Sequence, residues 1–257
     1  MNAPSRVEAE LSMSDFLALA QPGVQKLSPY VPGKPVDELA RELGIDPAAI
    51  VKLASNENPL GASPKALEAI RAELAELTRY PDGNGFELKR KLAERCAVDA
   101  AQVTLGNGSN DILDLVARAY LAPGLNAVFS EHAFAVYPIA TQAVGAEGRA
   151  VKARAWGHDL EAMLAAIDGQ TRVVFVANPN NPTGTLTPHE RIVRAIERKP
   201  ERSVVLVDEA YIHFSDAPSV VGLAVQRQDV LVLRTFSKLY GLSLIHISEP
   251  TRQAEIS

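Results

Sequence analysis

Short aliphatic runs punctuate this chain, each too brief for a typical helix and too uniformly apolar for a strand with one wet face. They are Val103-Thr104-Leu105, Ala127-Val128-Phe129, Val173-Val174-Phe175-Val176-Ala177, Val204-Val205-Leu206-Val207 and Val230-Leu231-Val232-Leu233. Runs of this kind suit strands buried on both faces. Between them lie segments read as helices, at Asp111 to Tyr120, Val136 to Val144 and Pro188 to Arg198. Strand and helix in alternation predict an α/β fold, a mostly parallel sheet with helices on both faces.

The region before this rhythm reads differently. Residues 1–50 are expected to form an N-terminal arm with one short helix. Leu27 to Pro35 contains three prolines and cannot be a helix interior. The short helix runs from Val36 to Leu43 and stops at Gly44. Lys52 to Gly61 is a polar loop. Ala66 to Leu77 has helical spacing at Leu67, Ile70, Leu74 and Leu77, Tyr80 to Gly85 is a turn, and Phe86 to Cys96 is helical again. Residues 51–241 form the expected main domain and residues 242–257 a distinct tail.

A length of 257 residues with 47% hydrophobic and 22% charged residues fits a soluble globular protein with a sizeable core. A net charge of −5 argues against nucleic acid or an anionic membrane as partner. Cys96 is the sole cysteine, so no internal disulfide forms, and a cytoplasmic location with ordinary packing of Cys96 is expected. No metal-ligand motif is seen. There is no membrane-length apolar run, and the N-terminus lacks a basic segment followed by an apolar one.

Chemistry-bearing residues collect at or just beyond the ends of the apolar runs. Lys238 follows Val230 to Leu233, and Asp208 and Tyr211 follow Val204 to Val207. Asn181 lies in Asn178-Pro179-Asn180-Asn181-Pro182-Thr183-Gly184, after Val173 to Ala177. An amine, a carboxylate, a phenol and an amide are what pyridoxal phosphate needs for covalent attachment and for tuning of its ring. The carboxylate can keep the pyridine nitrogen protonated, and the phenol and amide can hold the ring oxygen. Gly106-Asn107-Gly108-Ser109-Asn110 joins a strand to a helix and can cradle a phosphate, with the Ser237 hydroxyl beside it. Phe134 can stack on the ring. Each residue also has a plainer reading: Lys238 as solvated surface, Asp208 as a helix cap, Asn181 as a turn residue, Phe134 as core.

Taken together, Leu27-Ser28-Pro29-Tyr30 with Pro32-Gly33-Lys34-Pro35, Lys52 to Gly61, Arg79-Tyr80-Pro81-Asp82 and Thr235-Phe236-Ser237-Lys238 resemble the class I and II aminotransferases of fold type I. Within them the chain is most similar to the histidinol-phosphate aminotransferases, from about Leu27 to Gly241. The resemblance implies Lys238 as Schiff-base lysine and proton shuttle, Asp208 on the ring nitrogen, and Tyr211 and Asn181 on the ring oxygen. It implies Ser109, Asn110 and Ser237 on the phosphate and Phe134 stacked on the ring. Tyr80 would reach the phosphate held by a neighbouring subunit of a homodimer, and Tyr30 and Asn181 would face the substrate. The implied reaction converts histidinol phosphate and 2-oxoglutarate into imidazole acetol phosphate and glutamate.

The likeness stops after Gly241. The family usually continues with an arginine for the cofactor phosphate and a small C-terminal domain carrying substrate-binding arginines. Here Leu242 to Arg252 reads instead like the in-frame translation of a sequencing-library adapter, and His246 is given no role. Without the second domain, weak cofactor retention and little turnover are expected. Three alternatives are an aminotransferase for aromatic amino acids, a pyridoxal-phosphate-dependent decarboxylase of an amino-acid phosphate, and a binding module without activity. The C-terminal arginines would discriminate the first, carbon dioxide release against amino transfer the second, and a missing absorbance band of the lysine-bound cofactor the third.

Overall fold

The computed structural model describes residues 18–30 and 32–243. Residues 1–17, Val31 and the tail from Leu244, including His246, lie outside the described residues.

After a single helical turn at Pro22–Gln25, the chain forms α1 (Val36–Leu43), α2 (Pro64–Glu73), α3 (Phe86–Cys96) and α4 (Ser109–Tyr120). The α/β part follows as β1 (Asn126–Ser130), α5 (Val136–Ala143), β2 (Glu147–Val151), α6 (Leu160–Ala165) and β3 (Thr171–Ala177). It ends with α7 (His189–Arg198), β4 (Val204–Asp208), α8 (Val221–Gln226) and β5 (Val230–Leu233). All strand pairings are parallel, in the order β2-β1-β3-β4-β5. The chain therefore steps to one side of β1 for β2 and to the other for β3.

Alternate residues of each strand enter opposite cores, as a period of two requires. Ala127, Phe129, Val173, Phe175 and Leu206 pack with α4 and α5 on one face. Val128, Val174, Val176, Val205 and Val207 pack with Leu160 and Met163 of α6 and Ile192 and Ile196 of α7 on the other. At roughly 1.5–3 kcal/mol for each large aliphatic side chain fully buried, this two-faced burial is what makes the strand runs so apolar. The expected doubly covered sheet is the one observed.

Two local differences have physical causes. Val103 to Leu105 is not a strand: it is extended chain after a 3₁₀ turn at Ala100–Gln102 and pairs with no sheet neighbour. Conversely, β2 was not expected. Its sequence, Glu147-Gly148-Arg149-Ala150-Val151, is mostly exposed at the sheet edge, where polar residues are tolerated. The short helices α6 and α8, six residues each, were also not expected. The helix from Pro64 ends at Glu73 and continues as a 3₁₀ turn to Glu76. Among the described residues, no helix is long and apolar enough to cross a membrane, and no cluster of His, Cys, Asp or Glu is arranged to hold a metal ion.

Candidate functional site

The carboxyl ends of parallel strands are where α/β sheets bind ligands, especially where strand order reverses. Here the reversal falls between β1 and β3. Phe134 lies beyond β1, Asn181 beyond β3, Asp208 and Tyr211 at and beyond β4, and Lys238 beyond β5.

Asp208 is the last residue of β4, in register with Ala177 of β3 and Leu233 of β5. Its side chain is buried. Oδ2 accepts a hydrogen bond from the Tyr137 hydroxyl at 2.7 Å, and Oδ1 accepts from the Ala210 amide at 3.0 Å. Burial pushes the Asp208 carboxyl above the ordinary range, while the Tyr137 and Ala210 hydrogen bonds pull the other way, as does the positive charge of Lys238. Burial, next to the Asp208 charge, also raises Tyr137 well above the usual phenol range, so it stays a donor. Tyr137 is held face to face on Phe175, ring centroids 4.7 Å apart, and Phe134 meets it edge-on at 5.8 Å.

Lys238 approaches from the β5 side. Its Nζ lies 5.7 Å from the centre of the Tyr211 ring and makes a long hydrogen bond, 3.4 Å, to the Ser55 carbonyl. The Tyr211 hydroxyl accepts a hydrogen bond from Asn56 at 3.2 Å. Asn58 ties the same loop to the lysine segment through the Leu239 carbonyl at 2.7 Å. Gly241 has φ +64, and a Cβ there would sit 2.7 Å from the Gly61 carbonyl oxygen. The polar loop at 52–61 thus lies across the segment bearing Lys238, and only glycine at 241 permits that approach.

The turn after β3 is fixed by the neighbours of Asn181. Asn178 bonds Thr187 in both directions, its amide donating at 3.1 Å and its oxygen accepting at 2.8 Å. Asn180 donates to the His132 carbonyl at 2.7 Å and to Thr183 at 2.8 Å. Asn181 itself is left half-buried on the turn. At the start of α4, Gly108 has φ +78 and offers no side-chain cap, and Ser109 and Asn110 open the helix. Asp111 turns back to accept from the Asn107 amide at 3.0 Å. Ser237 accepts from Thr235 Oγ1 at 3.0 Å. Tyr80 is fully exposed and Tyr30 about half exposed.

Lys238, Tyr211, Asp208 and Phe134 are therefore brought into one cluster. Asn181, Ser109, Asn110 and Ser237 stand at neighbouring strand or helix ends, while Tyr30 and Tyr80 face outward. Sequence reasoning missed Tyr137, Asn56 and Ser55. For Tyr137 a signal existed, since a tyrosine on a buried helix face needs a partner for its hydroxyl. For Asn56 none existed, because it meets Tyr211 across 155 positions of chain.

Comparison with known proteins follows the same lines. A family model described as aminotransferase class I and II matches residues 48–244. Histidinol-phosphate aminotransferase 2 of Pseudomonas aeruginosa is 81% identical over 238 residues, covering 91% of this chain and 64% of that protein. Histidinol-phosphate aminotransferase of Stutzerimonas stutzeri is 60% identical, covering 95% and 67%. The solved structure of histidinol-phosphate aminotransferase from Sinorhizobium meliloti, in complex with pyridoxal-5'-phosphate, superposes with a TM-score of 0.79 at 28% identity, covering 88% of this chain and 60% of that one. The sheet and helices match those fold-type-I structures, and the chain spans about 64% of the length of the first relatives it matches. With a match over most of its length and a cluster of the expected chemistry at the strand ends, the chain belongs to the class I and II aminotransferases.

Proposed function

We propose that this chain carries the cofactor-binding part of a pyridoxal-phosphate-dependent aminotransferase acting on L-histidinol phosphate and 2-oxoglutarate, forming imidazole acetol phosphate and glutamate. The observation that carries it is the convergence of the Lys238 amine, the Tyr211 phenol and the buried Asp208 carboxylate at adjacent strand ends. The substrate rests on the names of relatives at 60–81% identity.

The residues present fit the cofactor. Asp208 is a buried carboxylate with two hydrogen bonds and no salt-bridge partner among the described residues, which suits it to a cationic ring nitrogen. Lys238 is half-buried, and its amine makes one long hydrogen bond, to the Ser55 carbonyl, and lies over the Tyr211 ring. The uncapped start of α4 presents amides suited to a phosphate. When bound, the cofactor supplies an aldehyde that captures amines and a ring that withdraws electrons from the substrate α-carbon.

The roles of the chain's own residues follow. Lys238 Nζ would anchor the cofactor, and its free amine would hold and return the proton of the substrate α-carbon. Asp208 stays anionic beside the ring nitrogen. Tyr211 and Asn181 hold the ring oxygen, and Asn56 orients the Tyr211 hydroxyl. Ser109, Asn110 and Ser237 bind the phosphate, and Phe134 covers the ring face. Tyr30 and Asn181 face the substrate. Tyr80, exposed to solvent in one copy, serves the phosphate of a second copy in a homodimer. The protein acts in the cytoplasm, and its main unit comprises residues 51–241.

Borohydride reduction in the presence of pyridoxal phosphate, followed by peptide mass spectrometry, tests the assignment. The label is expected on Lys238 and is lost in Lys238→Ala. Labelling confined to other lysines counts decisively against it.

A further inference from the structure

Next to the cluster lies a charged pair that the proposed reaction does not use. Glu209 directly follows Asp208, and Arg234 directly follows the last residue of β5. The Glu209 amide donates to the Leu233 carbonyl at 2.8 Å, so the two residues flank each other just past the paired ends of β4 and β5. The Glu209 side chain is 2% exposed. Both oxygens of its carboxylate are engaged, Oε2 most heavily. Oε1 accepts from the Val220 amide at 2.8 Å, and Oε2 accepts from Ser219 at 2.7 Å and from Arg234 Nε and Nη2 at 3.1 and 2.9 Å. Arg234 Nη2 also donates to Ser219 at 2.7 Å. A buried carboxylate with this many donors is strongly fixed, and removal of one partner leaves an uncompensated charge.

We propose that Glu209 and Arg234 are a positioning pair for the site. The pair locks the segment bearing Lys238, four residues after Arg234, against the segment bearing Asp208 and Tyr211. It also cancels a second negative charge immediately beside Asp208. Neither side chain reaches the candidate cofactor site, so neither is a catalytic residue. This inference rests on Lys238 and Asp208 being the cofactor's anchors.

The electrostatic part has a definite sign. The groups facing Asp208 are the Tyr137 hydroxyl from α5, the Lys238 amine and the Glu209 carboxylate, with Tyr211 beyond Tyr137. Those facing the Glu209–Arg234 pair are Ser219, His213 and the Cys96 thiol, which lies 3.9 Å from Arg234 Nη1, and Arg95 acts on His213 as well. Glu209 raises the Asp208 carboxyl. With Arg234 removed, the Glu209 charge one residue from Asp208 is left unrelieved, and Asp208 takes up its proton at higher pH. With Glu209 neutral and Arg234 kept, the excess positive charge moves Asp208 the opposite way. Cofactor affinity requires anionic Asp208 and is lost as pH falls through the Asp208 value.

The test is pyridoxal phosphate titration of the full chain across pH, by absorbance, for Arg234→Met, Glu209→Gln and the double variant, with borohydride trapping at Lys238 alongside. Arg234→Met is expected to weaken cofactor binding at least tenfold at neutral pH and to move the acid midpoint of binding upward. Glu209→Gln, which preserves shape, moves that midpoint downward, and the double variant returns it near the unsubstituted position. Opposite displacements with mutual rescue cannot come from loosened packing alone. Should Arg234→Met not fold, the Glu209→Gln displacement and its reversal in the double variant decide the matter. Normal trapping with midpoints indifferent to these substitutions overturns the pair's role. A failure to trap Lys238 in the unsubstituted chain overturns the reading of the site itself.

Discussion

Tyr137 shows how much one hydroxyl can govern. It is fully buried, and its donation to Asp208 is one of two hydrogen bonds that let a carboxylate sit at the end of a central strand. Tyr137→Phe keeps the stack on Phe175 but leaves Asp208 short of a donor. The expected cost is about 1–3 kcal/mol in denaturant-measured stability. Asp208 also moves further above the ordinary carboxylate range, so cofactor affinity falls off at a higher pH than in the unsubstituted chain. A variant as stable as the original would mean that the hydroxyl carries no net load. Lys238 and Asp208 were visible from the chain because amine and carboxylate follow unbroken apolar runs. Tyr137 sits inside a helical segment with no motif around it, and its partner is 71 positions away.

At the scale of elements, the strand ends are pinned by ion pairs that differ in depth. The buried Lys199 at the end of α7 meets Asp229, just before β5, at 2.5 Å, and Arg227 meets the same carboxylate at 2.8 Å. Hydrogen bonds from Arg227 and then Lys199 hold Asp229 down to about 2. A depressed carboxylate contributes stability above its unfolded value and loses it as pH falls towards the folded one. The acid limb of the stability curve, between the ordinary carboxylate range and about 2, therefore contains an Asp229 contribution. Asp229→Asn should flatten that part of the curve and cost about 3 kcal/mol at neutral pH, because Lys199 is left buried without its anion. Chemical denaturation at several pH values checks both. By contrast the pair between Lys34 and Glu42, at 2.6 Å on the surface of the arm, is exposed and is expected to contribute little.

For the whole molecule, two apolar surfaces stand out. One is a groove of about 620 Å³ beside β5, lined by Leu92, Leu105, Ile112, Leu115, Val225 and Leu231. Among the described residues β4 is the only strand neighbour of β5, so this side of the sheet is open. The other is the run of exposed Leu53, Leu60, Leu77, Tyr80 and Phe86 in the first third of the chain. Large apolar side chains left exposed in this number are what a subunit interface covers, in keeping with the proposed homodimer. Sedimentation should show a dimer. Tyr80→Ala, which alters a fully exposed side chain, should leave thermal stability within about 0.5 kcal/mol yet weaken cofactor binding only in the dimer. Equal loss in a monomeric form would place Tyr80 in its own subunit's site.

The sequence by itself determined the strand set of the sheet core, β1, β3, β4 and β5, because burial on both faces forces an unbroken aliphatic composition that composition alone reveals. It also pointed to Lys238, Asp208, Tyr211 and Asn181 as strand-end chemistry, because they fall at or within a few residues of where that composition ends. The edge strand β2 escaped notice, since an edge carries no such demand. Only the tertiary structure decided that Val103 to Leu105 finds no strand partner. It alone also showed Asn56 reaching Tyr211, the loop at 52–61 lying over Gly241, and Glu209 answering Arg234 rather than Asp208's neighbours in sequence. Those outcomes depend on contacts between segments far apart along the chain, which no local pattern of side chains encodes.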